Sequence, residues 1–155
     1  MLLLDVDGVM TDGGIYFSER GDELKKFNTQ DGYGIVSLQR HGVIVGIITG
    51  RASDLVRRRA QELGISEVHE NLENKQDAYE ALKVKHKLSD ASIAYIGDDE
   101  PDIPVLKRVG FSAAPSDAVE LVRRSVDYVC RRKGGEGAVR EVVDLILRSR
   151  PDAKR

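Results

Sequence analysis

Apolar positions come in short unbroken runs separated by helical stretches, and this rhythm extends along the whole chain. Leu2–Leu4, Val43–Ile48 and Ser92–Ile96 lack polar alternation, so they read as strands buried on both faces, as in a parallel sheet. Glu67–His69, Gly110–Ala113 and Asp127–Val129 are shorter strand candidates. The intervening segments carry helix signals. Ser53 stands before Leu55, Val56, Ala60 and Leu63, with Gly64 behind them, which predicts a helix capped by Ser53 and stopped by a left-handed glycine. A helix near Tyr33–Arg40 ends in the same way at Gly42. Others are expected near Asp77–His86, Pro104–Arg108, Asp117–Arg124 and Ala138–Leu147. Strands alternating with helices imply right-handed crossovers and a doubly wound α/β fold around a Rossmann-like parallel sheet.

One segment breaks the rhythm. Ile15-Tyr16-Phe17 and Glu23–Phe27 flank Ser18–Asp22, the pattern of a β-hairpin with a longer loop. It directly follows the first strand, at the carboxyl end where α/β folds build their sites. The chain reads as a single domain over residues 1–150, with the hairpin inserted at about 14–28 and a loose tail at 151–155.

Composition narrows the function. A length of 155 residues suits one domain, and 24 Lys and Arg against 26 Asp and Glu leave a net charge of −2, which argues against a nucleic-acid partner. No apolar run approaches the roughly 18 residues of a membrane span. Nor does a basic start lead into a long apolar core and a cleavage site, so neither a membrane nor a secretory destination is predicted. The single cysteine, Cys130, has no partner for a disulfide, which points to a reducing cytosol.

The chemistry lies in two acidic loops. Asp5-Val6-Asp7-Gly8-Val9-Met10-Thr11 leaves the first strand, and residues two apart on an extended chain face the same side. Gly97-Asp98-Asp99-Glu100-Pro101-Asp102 leaves another buried strand in the same way. A single Asp-Gly pair is most simply a turn former or helix cap. Two acidic loops at matching strand ends are better explained by one hard cation among Asp5, Asp7 and Asp98, and all-oxygen ligands suggest Mg²⁺. Thr49-Gly50-Arg51 ends a third strand with a hydroxyl and a tight turn suited to a phosphoryl oxygen. Lys75, at a predicted helix start, is placed to neutralise a carboxylate and a phosphate together. His41, His69 and His86 have no ligand spacing.

Asp5-Val6-Asp7-Gly8-Val9 with Thr11, then Thr49, then Lys75, then Gly97-Asp98-Asp99 with Asp102 resembles the four ordered motifs of the haloacid dehalogenase superfamily. Asp31-Gly32-Tyr33-Gly34-Ile35, Ile48–Arg51, Pro104-Val105 and Gly134–Glu141 extend the resemblance to the 3-deoxy-D-manno-octulosonate 8-phosphate phosphatases, members without a separate cap domain. The resemblance implies that Asp5 attacks phosphorus and that Asp7 serves as acid and then base. Thr49 and Lys75 would hold the transferred group. Mg²⁺ would be bound by Asp5, the Asp7 main-chain carbonyl and Asp98, with Asp99 and Asp102 supporting them. Thr11, Gly50, Arg51 and Arg59 would meet the substrate, a sugar-acid phosphate whose carboxylate calls for extra cations. It further implies a cytoplasmic homotetramer whose hairpins meet at the centre and whose neighbouring subunits close each active site.

Asn71 stands where relatives often have glycine, a place where asparagine tolerates a left-handed backbone. Competing readings are a phosphatase for a nonulosonate 9-phosphate or another sugar phosphate, and a non-catalytic phosphatase-like partner of a sugar-acid cytidylyltransferase. A receiver-type signalling module also uses acidic loops, a hydroxyl and a lysine, but it orders them differently and has no counterpart of Asp7.

Overall fold

A computed structural model describes residues 1–150; the tail expected at 151–155 lies outside the described residues. Six strands form one sheet: β1 (Leu2–Leu4), β4 (Val45–Ile48), β5 (Glu67–His69), β6 (Ala94–Ile96), β7 (Phe111–Ala114) and β8 (Tyr128–Val129). Every pairing in it is parallel, and the spatial order is β5-β4-β1-β6-β7-β8. The chain builds outward from β1 to one side, then returns to build outward on the other. The order therefore reverses between β1 and β6, the switch point where α/β folds open a crevice. Both acidic loops leave the sheet there.

Helices cover both faces. Leu2, Leu4, Val45, Ile47 and Ile96 pack beneath α1 (Thr29–Arg40), α2 (Asp54–Glu62) and α6 (Ala138–Ser149). Leu3, Ile48 and Tyr95 face α3 (Lys75–His86), α4 (Ile103–Leu106) and α5 (Glu120–Arg123). The alternation of neighbouring strand residues between the two cores is the period-two geometry of a sheet buried on both sides.

Helix starts differ from the apolar pattern where a polar cap decides. The first helix begins at Thr29 rather than Tyr33 because the Asn28 side chain accepts from the N–H groups of Gln30 and Asp31. The third begins at Lys75 rather than Asp77 because Asn74 accepts from Gln76. Ser53 occupies its predicted cap position but makes no side-chain cap bond; its N–H donates instead to Glu70. The helix expected over Asp117–Arg124 is reduced to α5, since the Asp117 carboxylate accepts from the Gly134 N–H. Gly42 and Gly64 take the left-handed stops expected of them, and Asn71 is also left-handed.

The hairpin consists of β2 (Tyr16–Phe17) antiparallel to β3 (Glu23–Leu24). Ile15, Tyr16, Phe17 and Leu24 are exposed, while Phe27 packs against the core.

Candidate active site

Asp5 directly follows β1, and its carboxylate is buried at the switch point. Lys75, the first residue of α3, reaches across the sheet edge and donates to Asp5 Oδ1 at 2.8 Å and to Asp102 Oδ1 at 2.6 Å. Asp102 is fully employed. Its Oδ1 also accepts from the buried Tyr95 hydroxyl, and its Oδ2 accepts from the N–H groups of Asp98 and Asp99 at 2.9 and 3.2 Å. Asp102 thus shapes the second acidic loop and fixes Lys75.

Asp98 is different. Its Oδ1 is buried and meets no donor. Carboxylate oxygens of Asp5, Asp98 and Asp102 lie within 4.8 Å of one another. Three carboxylates against one ammonium leave two negative charges, which is the charge a divalent cation would neutralise.

The protonation energetics agree. Burial, reinforced by the Asp102 charge and only partly offset by Lys75, pushes Asp5 up to about 6. Burial, with the charges of Asp5 and Asp102, pushes Asp98 up to about 8. Burial opposes the charge on Lys75, but Asp5 and Asp102 outweigh it and raise its pKa. Without a cation, the site accommodates its crowded carboxylates by holding protons.

Gly8 completes the cradle. Its φ is +88°, and a Cβ there would lie 2.0 Å from Asp98 Oδ2, so only glycine lets the two acidic loops come this close. Gly134 braces the first loop from behind, where a Cβ would lie 1.8 Å from the Gly8 carbonyl oxygen.

Asp5, Asp7, Thr49, Gly50, Arg51, Lys75, Asp98, Asp99 and Asp102 line one cleft of about 400 Å³. Thr49 is buried at the end of β4. The two remaining candidates lie elsewhere. Thr11 spends its hydroxyl inside the loop, accepting from the N–H groups of Gly8 and Gly13 and lying 3.4 Å from the Val6 carbonyl oxygen as its donor. It staples the turn after β1, and its hydroxyl is spent there. Arg59 stacks over Phe27, bonds Glu62 and the Asn28 carbonyl, and lines a separate cleft between α1 and α2. Within one chain it does not reach the acidic cluster, because its position on α2 points it toward α1.

Sequence reasoning missed Glu23, Lys25 and Tyr95. Lys25 Nζ lies 2.5 Å from Asp7 Oδ1 and 3.4 Å from Glu23 Oε1, and Arg51 donates to Glu23 at 3.1 Å. Alternation along the second hairpin strand, with apolar Leu24 between two charged residues, was the available signal.

A buried carboxylate, a lysine and a cation-ready acidic pair at the switch point of a parallel sheet suit an α/β protein that handles phosphoryl groups. The family of haloacid dehalogenase-like hydrolases matches residues 62–142. A relative from Escherichia coli K12 named 3-deoxy-D-manno-octulosonate 8-phosphate phosphatase KdsC is 47% identical over 147 residues, spanning 95% of this chain and 78% of the relative. One of the same name from Yersinia pestis is 48% identical, with 95% and 79% covered. The crystal structure of the Yersinia pestis phosphatase superposes with a TM-score of 0.96 at 47% identity, covering 98% of this chain and 82% of that one. That of the Moraxella catarrhalis phosphatase, in complex with magnesium, phosphate and KDO, gives 0.95 at 41% identity, covering 98% and 87%. The chain belongs to the haloacid dehalogenase-like hydrolases and, within them, to the 3-deoxy-D-manno-octulosonate 8-phosphate phosphatase family.

Proposed function

We propose that this chain is a Mg²⁺-dependent phosphatase that hydrolyses 3-deoxy-D-manno-octulosonate 8-phosphate to the free sugar acid and phosphate, a step in lipopolysaccharide precursor synthesis. The observation that carries this reading is the crowding of carboxylates beside Asp5, where Asp98 Oδ1 is buried without a donor. The carboxylates of Asp5 and Asp98 and the main-chain carbonyl of Asp7 would hold the cation, with Asp99 and Asp102 behind them. When bound, Mg²⁺ offsets the charge of the phosphoryl oxygens and of the carboxylates facing them, so that an anionic ester can approach an anionic nucleophile.

Asp5 attacks phosphorus with a carboxylate oxygen. The Asp5 O–P bond forms as the bond from phosphorus to the sugar oxygen breaks, and protonated Asp7 gives its proton to that departing oxygen. As a carboxylate, Asp7 then takes a proton from the water that cleaves the aspartyl phosphate. Lys75 fixes the orientation of Asp5, and with Thr49 and the Gly50 turn it holds the phosphoryl group. Arg51, at the cleft mouth, meets the carboxylate of the sugar acid.

Residues 1–150 are read as one phosphatase domain working in the cytoplasm. The exposed Ile15, Tyr16, Phe17 and Leu24 support a homotetramer in which hairpins meet and a neighbour closes each cleft, the setting in which Arg59 would reach a substrate.

The test is phosphate release across a panel of sugar phosphates, with Mg²⁺ and with chelator, on the wild type and Asp5→Asn. A Mg²⁺-dependent preference for the eight-carbon acid, lost in a folded Asp5→Asn protein, is expected. A preference for nonulosonate 9-phosphate would change the substrate and retain the chemistry. No turnover of any phosphate by folded protein, or full activity in Asp5→Asn, would overturn the reading.

A further inference from the structure

The hairpin turns its charged side chains inward and its apolar ones out. Leu24 is 59% exposed, whereas the Lys25 side chain beside it is only 2% exposed although its backbone is partly open. Period-two geometry puts Glu23 and Lys25 on one side of the strand. That side faces the cleft. The Lys25 ammonium lies 2.5 Å from Asp7 Oδ1 and 3.4 Å from Glu23 Oε1, and the same Glu23 oxygen accepts from Arg51 at 3.1 Å. Charges therefore alternate in sign along a chain from Asp7 through Lys25 and Glu23 to Arg51, linking the loop after β1 to the turn after β4. Burying an ammonium is costly unless it is paired, and here both of its partners are carboxylates.

We propose that Lys25 is a positioning residue for Asp7, held in place by Glu23, so that the hairpin is a working part of proton transfer. This assignment rests on the phosphatase reading above. Among the described residues, Lys25 is the one side-chain donor to the Asp7 carboxylate. A half-buried aspartate next to a glycine would otherwise sample several rotamers, yet it must come within about 3 Å of the leaving oxygen to protonate it. The buried ammonium selects one orientation. Because Glu23 also holds Arg51, the same link ties the proton donor to the group that recognises the substrate carboxylate.

Leaving-group chemistry separates positioning from bulk structure. A sugar alkoxide needs a proton to depart, whereas p-nitrophenolate leaves without one. The experiment measures kcat and kcat/KM of wild type, Lys25→Met, Lys25→Arg and Glu23→Gln with 3-deoxy-D-manno-octulosonate 8-phosphate and with p-nitrophenyl phosphate. Lys25→Met is expected to lose on the order of 10²-fold in kcat/KM on the sugar phosphate, carried by kcat, but less than about tenfold on the aryl ester. Lys25→Arg recovers most of the loss, and Glu23→Gln shows the same selectivity at smaller size. Equal losses on both substrates, or none, in a folded variant would overturn the assignment. Should Lys25→Met fail to fold, Glu23→Gln decides by the same comparison read in kcat alone, because loss of the Arg51 contact to the substrate carboxylate appears in KM. A wild type inactive on both esters overturns the phosphatase reading and this assignment with it; an active wild type without selective losses overturns the assignment alone.

Discussion

Asp5 and Asp98 hold their protons far above the usual carboxylate range, Asp5 up to about 6 and Asp98 up to about 8, chiefly because burial and neighbouring carboxylates disfavour their charge. A carboxyl whose pKa is raised on folding contributes stability that is complete below its unfolded pKa near 3.8 and is lost as pH rises through the folded value. The cation-free protein therefore loses this contribution between about pH 4 and 8, while Mg²⁺, which competes with those protons, gains affinity over the same range. The Mg²⁺-induced rise in Tm, measured by calorimetry from about pH 5 to 8, is expected to increase with pH; a constant or falling increment would remove these two carboxylates as the ligands. Asp5, Asp7, Thr49, Lys75 and Asp98 were legible as candidates because each stands at the end of an apolar run or the start of a helix. Thr11 and Arg59 were candidates too, but their surroundings were not legible, because a hydroxyl's availability and an arginine's direction depend on what packs around them. Lys25, just past the two-residue β3, was marked only by its alternation with the exposed Leu24.

At the scale of elements, Asp31 shows how one helix completes another. It lies inside α1, yet its carboxylate accepts from the N–H groups of Gly137 and Arg140 at 3.3 and 2.7 Å, capping α6, whose own cap residue Gly137 offers no side chain. Substituting Asp31→Ala removes both acceptors and leaves buried N–H groups unpaired, so a loss of about 1–3 kcal/mol in unfolding free energy is expected by urea titration. Unchanged stability would show that α6 starts without this cap. The glycines leading into α6 also brace the Gly8 turn, so this cap stands behind the loop that carries Asp7. The helix itself was legible from its apolar period, but the residue that starts it lies more than a hundred positions away in the chain.

At the scale of the whole molecule, the hairpin projects four apolar side chains into solvent, more than a two-stranded ribbon can bury by itself. Phe17→Asp with Leu24→Asp is expected to reduce the homotetramer proposed above to the monomer mass in light scattering after gel filtration, with the monomer still folded; an unchanged oligomeric mass would place the assembly surface elsewhere, and a monomeric wild type would overturn the tetramer. The sequence alone determined the doubly wound sheet, its strands and the acidic loops, because period, glycine stops and strand-end aspartates are local properties of the chain. It also limited the chemistry to oxygen ligands, a hydroxyl and a lysine. Only tertiary structure decided which carboxylates are paired and which is left bare, that Asp102 rather than solvent holds Lys75, and that Lys25 reaches Asp7. Those outcomes depend on distances between residues far apart in the chain, set when helices on both faces close around the point where the strand order reverses.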